Sequence, residues 1–282
     1  VRTSPLDREV DGRLRHDPLK VIQASLALHD QLLDEPSAER EAIFRRQVEW
    51  VAGEGLIFLP GGIPVWPQYY TFERYGLEGR WISALTQGQA ISLLLRASTL
   101  TGEARYAELA GQAAAAFTGA ELPIVWRGPG GRIFFEEYPC DPPAHVLNGC
   151  LFAWLGLWDY ARFSGDDELR AFCLEVLGQI RHTVPDYEMG DWTRYDLHQT
   201  WPTSPSYQEI HAALARALGE ITGDRFWTER GRSWRCAASN PWTRSGVFLR
   251  VLGAKIRTRF LGPPVTPRGL RLPPASARSS SG

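Results

Sequence analysis

Between Phe134 and Asn148 the chain reads F-F-E-E-Y-P-C-D-P-P-A-H-V-L-N, which sets two carboxylates and a phenol (Glu136, Glu137, Tyr138) side by side ahead of a proline-rich turn. Ionisable groups held between an apolar entry and a proline exit suit acid–base work at the rim of a pocket. The plainer alternative is an exposed acidic turn whose aromatics fill core. A second cluster carries Tyr187, Asp191, Tyr195, Asp196, His198, Tyr207, Glu209 and His211, and Pro202 and Pro205 break it into loop. Tyr207 and His211 are four apart at a helix start and so share a face. Two chemistries fit. Glu136 or Glu137 paired with Asp196 suits hydrolysis of a glycosidic bond, whereas carboxylate and phenol bases suit removal of a proton alpha to a substrate carboxylate. His198 and His211 lack metal-ligand spacing, so no metal site is expected, and His211 reads as a buttress or a satisfied core residue. No nucleophile elbow, P-loop, dinucleotide fingerprint or zinc pattern is present, and the reading invokes no cofactor.

The elements that must position these groups are helical. Asp17-Pro18 is a helix start, with an N-cap carboxylate and proline at the first helical position, and the helix stops near Glu35-Pro36. A second helix follows through Phe44, Val48 and Val51. Helix, tight turn, helix then recurs around Gly102, Gly165 and Gly223, each glycine standing where a helix ends in the left-handed conformation and each followed by an acidic residue. The glycines are 63 and 58 residues apart, and Pro36 lies 66 before the first. Four hairpins at a near-constant period predict an all-α array closed into an (α/α) toroid. Strand signals are confined to short pieces near Ile57 and Ile124. Long, chemically loaded connections precede the first helix of each hairpin, so they should gather at one mouth as an open cleft, with the glycine turns at the other end. The aromatic run Trp66, Tyr69, Tyr70, Tyr75 and Trp81 in one of them suits sugar rings, or core packing.

The 282 residues, 44% hydrophobic, suffice for a full core. A net charge of −1 gives no field for nucleic acid, yet residues 241–282 carry eight Arg or Lys and no Asp or Glu, leaving the preceding body at −9. The expected division is an arm over 1–16, a catalytic body over 17–240 and a basic, Pro/Ser-rich tail over 241–282. Gly246 to Leu261 reads as a short basic amphipathic helix that offers a contact to an anionic polymer or membrane surface; a solubilising tail is the reading we favour. Cys140, Cys150, Cys173 and Cys236 have no metal or scaffold spacing and read mostly as buried thiols of a reducing compartment, an expected cytoplasmic location. No apolar run approaches the roughly 20 residues that span a bilayer, and no signal-peptide core opens the chain. The first residue is valine, which leaves a preceding targeting segment open.

Several motifs in order resemble the C-terminal domain of the D-glucuronyl C5-epimerase family. They are D-P-L-K-V-I-Q-A-S-L-A-L-H-D, W-I-S-A-L-T-Q-G-Q-A-I-S-L-L-L-R-A, F-F-E-E-Y-P with V-L-N-G, and Y-D-L followed by Y-x-x-x-H, together covering about Asp17 to Trp234. The resemblance implies an (α/α) toroid that inverts C5 of glucuronate to iduronate within heparosan-type chains. It puts the catalytic glutamate and tyrosines on Glu137, Tyr138, Tyr195 and Tyr207. Trp81, Gln87, Glu136, Asn148 and His211, within the same motifs, are taken as substrate contacts. The family has Y-D-L-R-H where this chain has Y-D-L-H-Q, so His198 replaces a carboxylate-binding arginine; Arg132, Arg194 and His198 are the candidates for that task. Animal relatives add β-rich N-terminal domains that contribute to dimer and cleft and for which this chain has no room; a homodimer is a separate expectation. Inversion would place Glu137 on one face of the ring and Tyr207 on the other. A polysaccharide lyase begins with the same proton removal and stays open, as do an inverting glycosidase and a non-catalytic uronan-binding module.

Overall fold

The computed structural model describes residues 7–10, 13–119, 121–198, 202–243, 245–247 and 266–267. The Asp17 side chain accepts from the Leu19 N–H and starts α1 (Pro18–Asp34), and Ser37 does the same for α2 (Ala38–Ala52) through the Arg40 N–H. Three more hairpins follow: α3 (Ala84–Thr101) with α4 (Ala104–Thr118), α5 (Leu147–Ser164) with α6 (Asp167–Tyr187), and α7 (Pro205–Thr222) with α8 (Arg225–Ser239). Gly102, Gly165 and Gly223 close the first helix of each at φ of 75°, 74° and 72°, the left-handed values the sequence predicts. Asp166 and Asp224 cap the helices that follow. Glu103 does not; its carboxylate accepts from Arg105 instead, and its own N–H goes to Thr101 Oγ1.

The first helices pack in series, α1 on α3, α3 on α5 and α5 on α7, and each carries its second helix on its flank. Helix α3 is buried on every side from Ala84 to Leu95, as befits a helix enclosed by α1, α4 and α5. Its contact with α5 is closest where two glycines meet. A Cβ on Gly156 would overlap the Gly88 carbonyl, and one on Gly88 would come within 2.5 Å of Ala153 Cα. Helices α7 and α1 share no interface comparable to the others, so the described helices pack as an arc from α1 to α7.

Short antiparallel ribbons decorate the connections. They are β3 (Ile57–Leu59) with β4 (Ile63–Val65), β5 (Val125–Arg127) with β6 (Ile133–Phe135), and β8 (Glu188–Met189) with β9 (Trp192–Thr193). Within the stretch expected to be an arm, β1 (Asp7–Val10) pairs with β2 (Arg13–His16). Most of the expected basic helix of the tail lies outside the described residues. Further on, β10 (Thr266–Pro267) pairs with β7 (Cys140–Asp141). Cys140, Cys150 and Cys173 are buried and Cys236 is exposed. Among the described residues no helix is long and apolar enough to cross a membrane.

The glycine contact gives the first prediction. Gly156→Ala should destabilise the fold by about 1–3 kcal/mol through overpacking. Gly178→Ala, in α6 where nothing lies within 4 Å of an added Cβ, should be neutral or stabilising by up to about 1 kcal/mol. Urea unfolding of both variants checks the pair.

Candidate active site

The connections that precede α3, α5 and α7 converge, and backbone bonds stitch them together. Ala84 N–H donates to the Glu136 carbonyl, Leu147 N–H to the Tyr195 carbonyl, and Leu197 N–H to the Ala144 carbonyl. Glu136 and Glu137 follow β6 where the chain bends, and they turn to different partners. Glu136 is fully buried and holds His145, accepting from its N–H at 3.1 Å and meeting its Nδ1 at 2.5 Å. His145 has φ of 50°, a left-handed value that a non-glycine residue adopts at a cost, and the Glu136 carboxylate and the Tyr187 hydroxyl on its carbonyl pin it there.

Glu137 turns the other way, into a nest of phenols. Its Oε1 accepts from the Tyr195 hydroxyl at 3.3 Å and its Oε2 from Asn148 Nδ2 at 3.5 Å. Tyr138 and Tyr195 hydroxyls stand 3.3 Å apart. The room for this carboxyl exists because residue 149 is glycine, since a Cβ there would overlap Glu137 Oε2. Burial pushes the Glu137 carboxyl up to about 7, against the downward pull of the Tyr138 and Tyr195 hydroxyls. A carboxyl poised there is a competent base and, once protonated, a competent acid at neutral pH.

The phenols shift upward as well. Burial raises Tyr138, Tyr195 and Tyr207, and the Glu137 charge adds to it in each. They are therefore proton donors at neutral pH, since burial and the Glu137 charge outweigh the downward pull of Arg74 on Tyr207. Tyr138 stacks on Tyr75 at 4.3 Å between ring centroids, with Phe72 and Trp81 closing the wall. Tyr195 meets Tyr207 edge-on at 4.7 Å, and Tyr207 is 38% exposed, the group of this nest that faces outward.

The other sequence-predicted residues scatter. Trp81 lines the wall, its indole N–H donating to the Tyr70 carbonyl. Gln87 is a correction: its amide N–H groups go to the Pro64 and Ala113 carbonyls in the core, which leaves it none for a substrate. His211 is a second: fully buried, it meets Thr193 Oγ1 at 2.7 Å, and burial drives it down to about 3, so it is a neutral core residue. Glu136 is a third, since its carboxylate is sealed against His145. Arg132 sits exposed at the turn between β5 and β6, above Trp126 and away from the phenols. Arg194 is half-buried, and its backbone N–H donates to the Tyr187 carbonyl. His198 lies 6.4 Å from the Tyr75 ring. Asp196 is fully buried and accepts from Tyr75 at 2.6 Å and Arg74 at 2.9 Å, so it is not the solvent-facing carboxylate that a glycosidase pair requires. Arg74 and Gly149 went unread in the sequence. An acidic partner 122 positions away leaves no local signal for Arg74.

The Glu137 shift predicts a pH-dependent stability. From its ordinary 4.5 up to about 7, the native state holds a proton that the unfolded state has lost, so stability falls as pH rises through that window. Glu137→Gln should escape this loss. Its unfolding free energy relative to the parent should climb from near zero at about pH 4.5 to as much as about 3 kcal/mol above pH 7. Denaturant titrations at both ends check it. His211, depressed in its pKa, titrates with the opposite sign but is common to both proteins and cancels.

Residues 61–236, over half of the chain, match the family described as D-glucuronyl C5-epimerase C-terminus. An uncharacterized protein of Methanocaldococcus jannaschii is 30% identical over 178 residues, which is 61% of this chain and 57% of that protein. D-glucuronyl C5-epimerase of Caenorhabditis elegans is 30% identical over 173 residues, 55% of this chain and 28% of that enzyme. The chain thus spans about half or less of the length of these curated relatives. A sugar epimerase from a ruminal bacterium shares the fold, with a TM-score of 0.54 at 12% identity, covering 79% of this chain and 60% of that one. With the glutamate and the tyrosines of its motifs gathered in one place, the chain belongs to the D-glucuronyl C5-epimerase family, through the part described as its C-terminus.

Proposed function

We propose that the protein inverts C5 of D-glucuronosyl residues in a heparosan-like anionic polysaccharide, giving L-iduronosyl residues. The observation that carries this reading is the contact series Glu137–Tyr195–Tyr207, which runs from a buried carboxyl poised near neutrality to an outward-facing phenol. Glu137 as carboxylate takes the C5 proton from one face of the ring, and the electron pair moves into the substrate carboxyl as an enolate. Tyr138 and Tyr195 hydroxyls donate to the developing charge. Tyr207 delivers its proton to C5 from the opposite face, and the product leaves with inverted configuration. That leaves Glu137 protonated and Tyr207 ionised, and Tyr195 stands between them to pass the proton back. The cycle is redox-neutral, consumes no other reactant and calls on no cofactor. The arc from α1 to α7 is read as the inner wall of an (α/α) toroid with the substrate lying across its mouth.

A lyase would begin identically and then expel the C4 oxygen, so the product decides. Incubation with heparosan in heavy water should place deuterium at C5 with no ultraviolet-absorbing unsaturated product. An absorbing product would make the protein a lyase, and an absence of exchange on any uronan would favour a binding module. Tyr207→Phe retains the ring and removes the transferable proton. It should lower kcat by about 100-fold or more while polymer binding stays within about threefold. Near-normal turnover in this variant would make Tyr207 structural.

A further inference from the structure

We propose that Arg74 receives the carboxylate of the uronosyl residue whose C5 proton is removed; the assignment rests on the C5-epimerase reading. Removing a proton beside a carboxylate loads a second negative charge onto that group, and the barrier is prohibitive unless a fixed cation or donor set takes it up. Arg74 is placed for that. It belongs to a 3-10 turn, Glu73–Tyr75, ended by Gly76 in the left-handed conformation and closed by the Phe72–Leu77 bridge, so its backbone is fixed. Its Nη2 donates to Asp196, which is fully buried, while the Arg74 side chain itself is 42% exposed. One edge of the guanidinium is thereby anchored, while the side chain remains partly open to solvent.

Tyr75 donates to the same Asp196 oxygen at 2.6 Å and holds that anchor in place. The guanidinium carbon lies 5.2 Å from the Tyr75 ring centre and 5.5 Å from that of Tyr195, between the ring that stacks on Tyr138 and the hydroxyl that donates to Glu137. Its charge lowers the proton affinity of Glu137 and Tyr207, against their burial, so both proton-transfer groups sense it. The planar fork of an arginine suits a carboxylate through parallel hydrogen bonds, which a histidine at 198 cannot offer. Arg132, above Trp126 at an exposed turn, is outside this group. Asp196 and Tyr75 are then positioning residues for Arg74.

The test compares C5 exchange on a uronan with exchange on its methyl ester, whose carboxyl needs no cation. In Arg74→Gln the ratio of kcat/KM for the acid to that for the ester should fall about 100-fold. Because this variant orphans a buried Asp196 charge and its folding is at risk, the double variant Arg74→Gln, Asp196→Asn is measured too and should show the same fall. Arg74→Lys, which keeps the charge but not the fork, should lose about tenfold in the ratio. Acid and ester falling together, with the ratio unchanged in all three, would reduce Arg74 to a brace for Asp196 and overturn the proposal. Absence of exchange by the parent protein on either substrate would instead overturn the epimerase reading, and this assignment with it.

Discussion

The Glu137 carboxyl is enclosed against the first turn of α5, in a space that exists because position 149 has no Cβ, and the rest of the site is arranged around that enclosure. A helix N-terminus favours a negative charge by about 0.3–1 kcal/mol, and phenol donors add to that. Burial outweighs both, which is why the group is pushed up rather than down. The balance leaves a carboxyl that changes charge near neutrality, among tyrosines that the same burial keeps protonated. The same burial thus acts oppositely on function-ready charge: it brings the carboxyl toward neutrality and carries the phenols away from it.

Holding a reluctant carboxylate requires a frame that cannot relax around it. The α3–α5 contact supplies one, because Gly88 and Gly156 let the two backbones touch and the connections leading into these helices carry Trp81 on one side and Glu137 with Tyr138 on the other. Glu136 serves the same end. Its sealed bond to His145 fixes the loop in a backbone conformation it would not hold alone, so the neighbouring Glu137 meets the phenols rather than solvent. The two adjacent glutamates thus meet different partners, His145 for one and the phenols for the other. Asp196 repeats the device, a buried carboxylate held by Tyr75, which stacks on Tyr138, and by Arg74.

The hairpins were legible in the sequence because their signals are local: Asp17-Pro18, the capping aspartates and the three left-handed glycines each act within a few residues. The nest of Glu137, Tyr138, Tyr195 and Tyr207 was legible through motif order, and the convergence of the loaded connections followed from the repeat. What misled was motif membership without burial. Gln87 and His211 lie in the same motifs as the phenols, yet one ties helix α3 to the Pro64 and Ala113 carbonyls and the other fills core beside Thr193. Arg74 and Gly149 were missed for the converse reason, since their importance lies in contacts across the fold that no spacing announces.

The mechanism stands on Glu137 changing charge near neutrality. Carbon-13 NMR of the protein labelled at glutamate side-chain carboxyls, followed from about pH 4 to about pH 9 in the parent and in Glu137→Gln, reads this directly. The account predicts one resonance titrating at about 7 in the parent and missing from the variant. A parent spectrum in which every glutamate has titrated by about pH 5, with the resonance lost in Glu137→Gln among them, would contradict it.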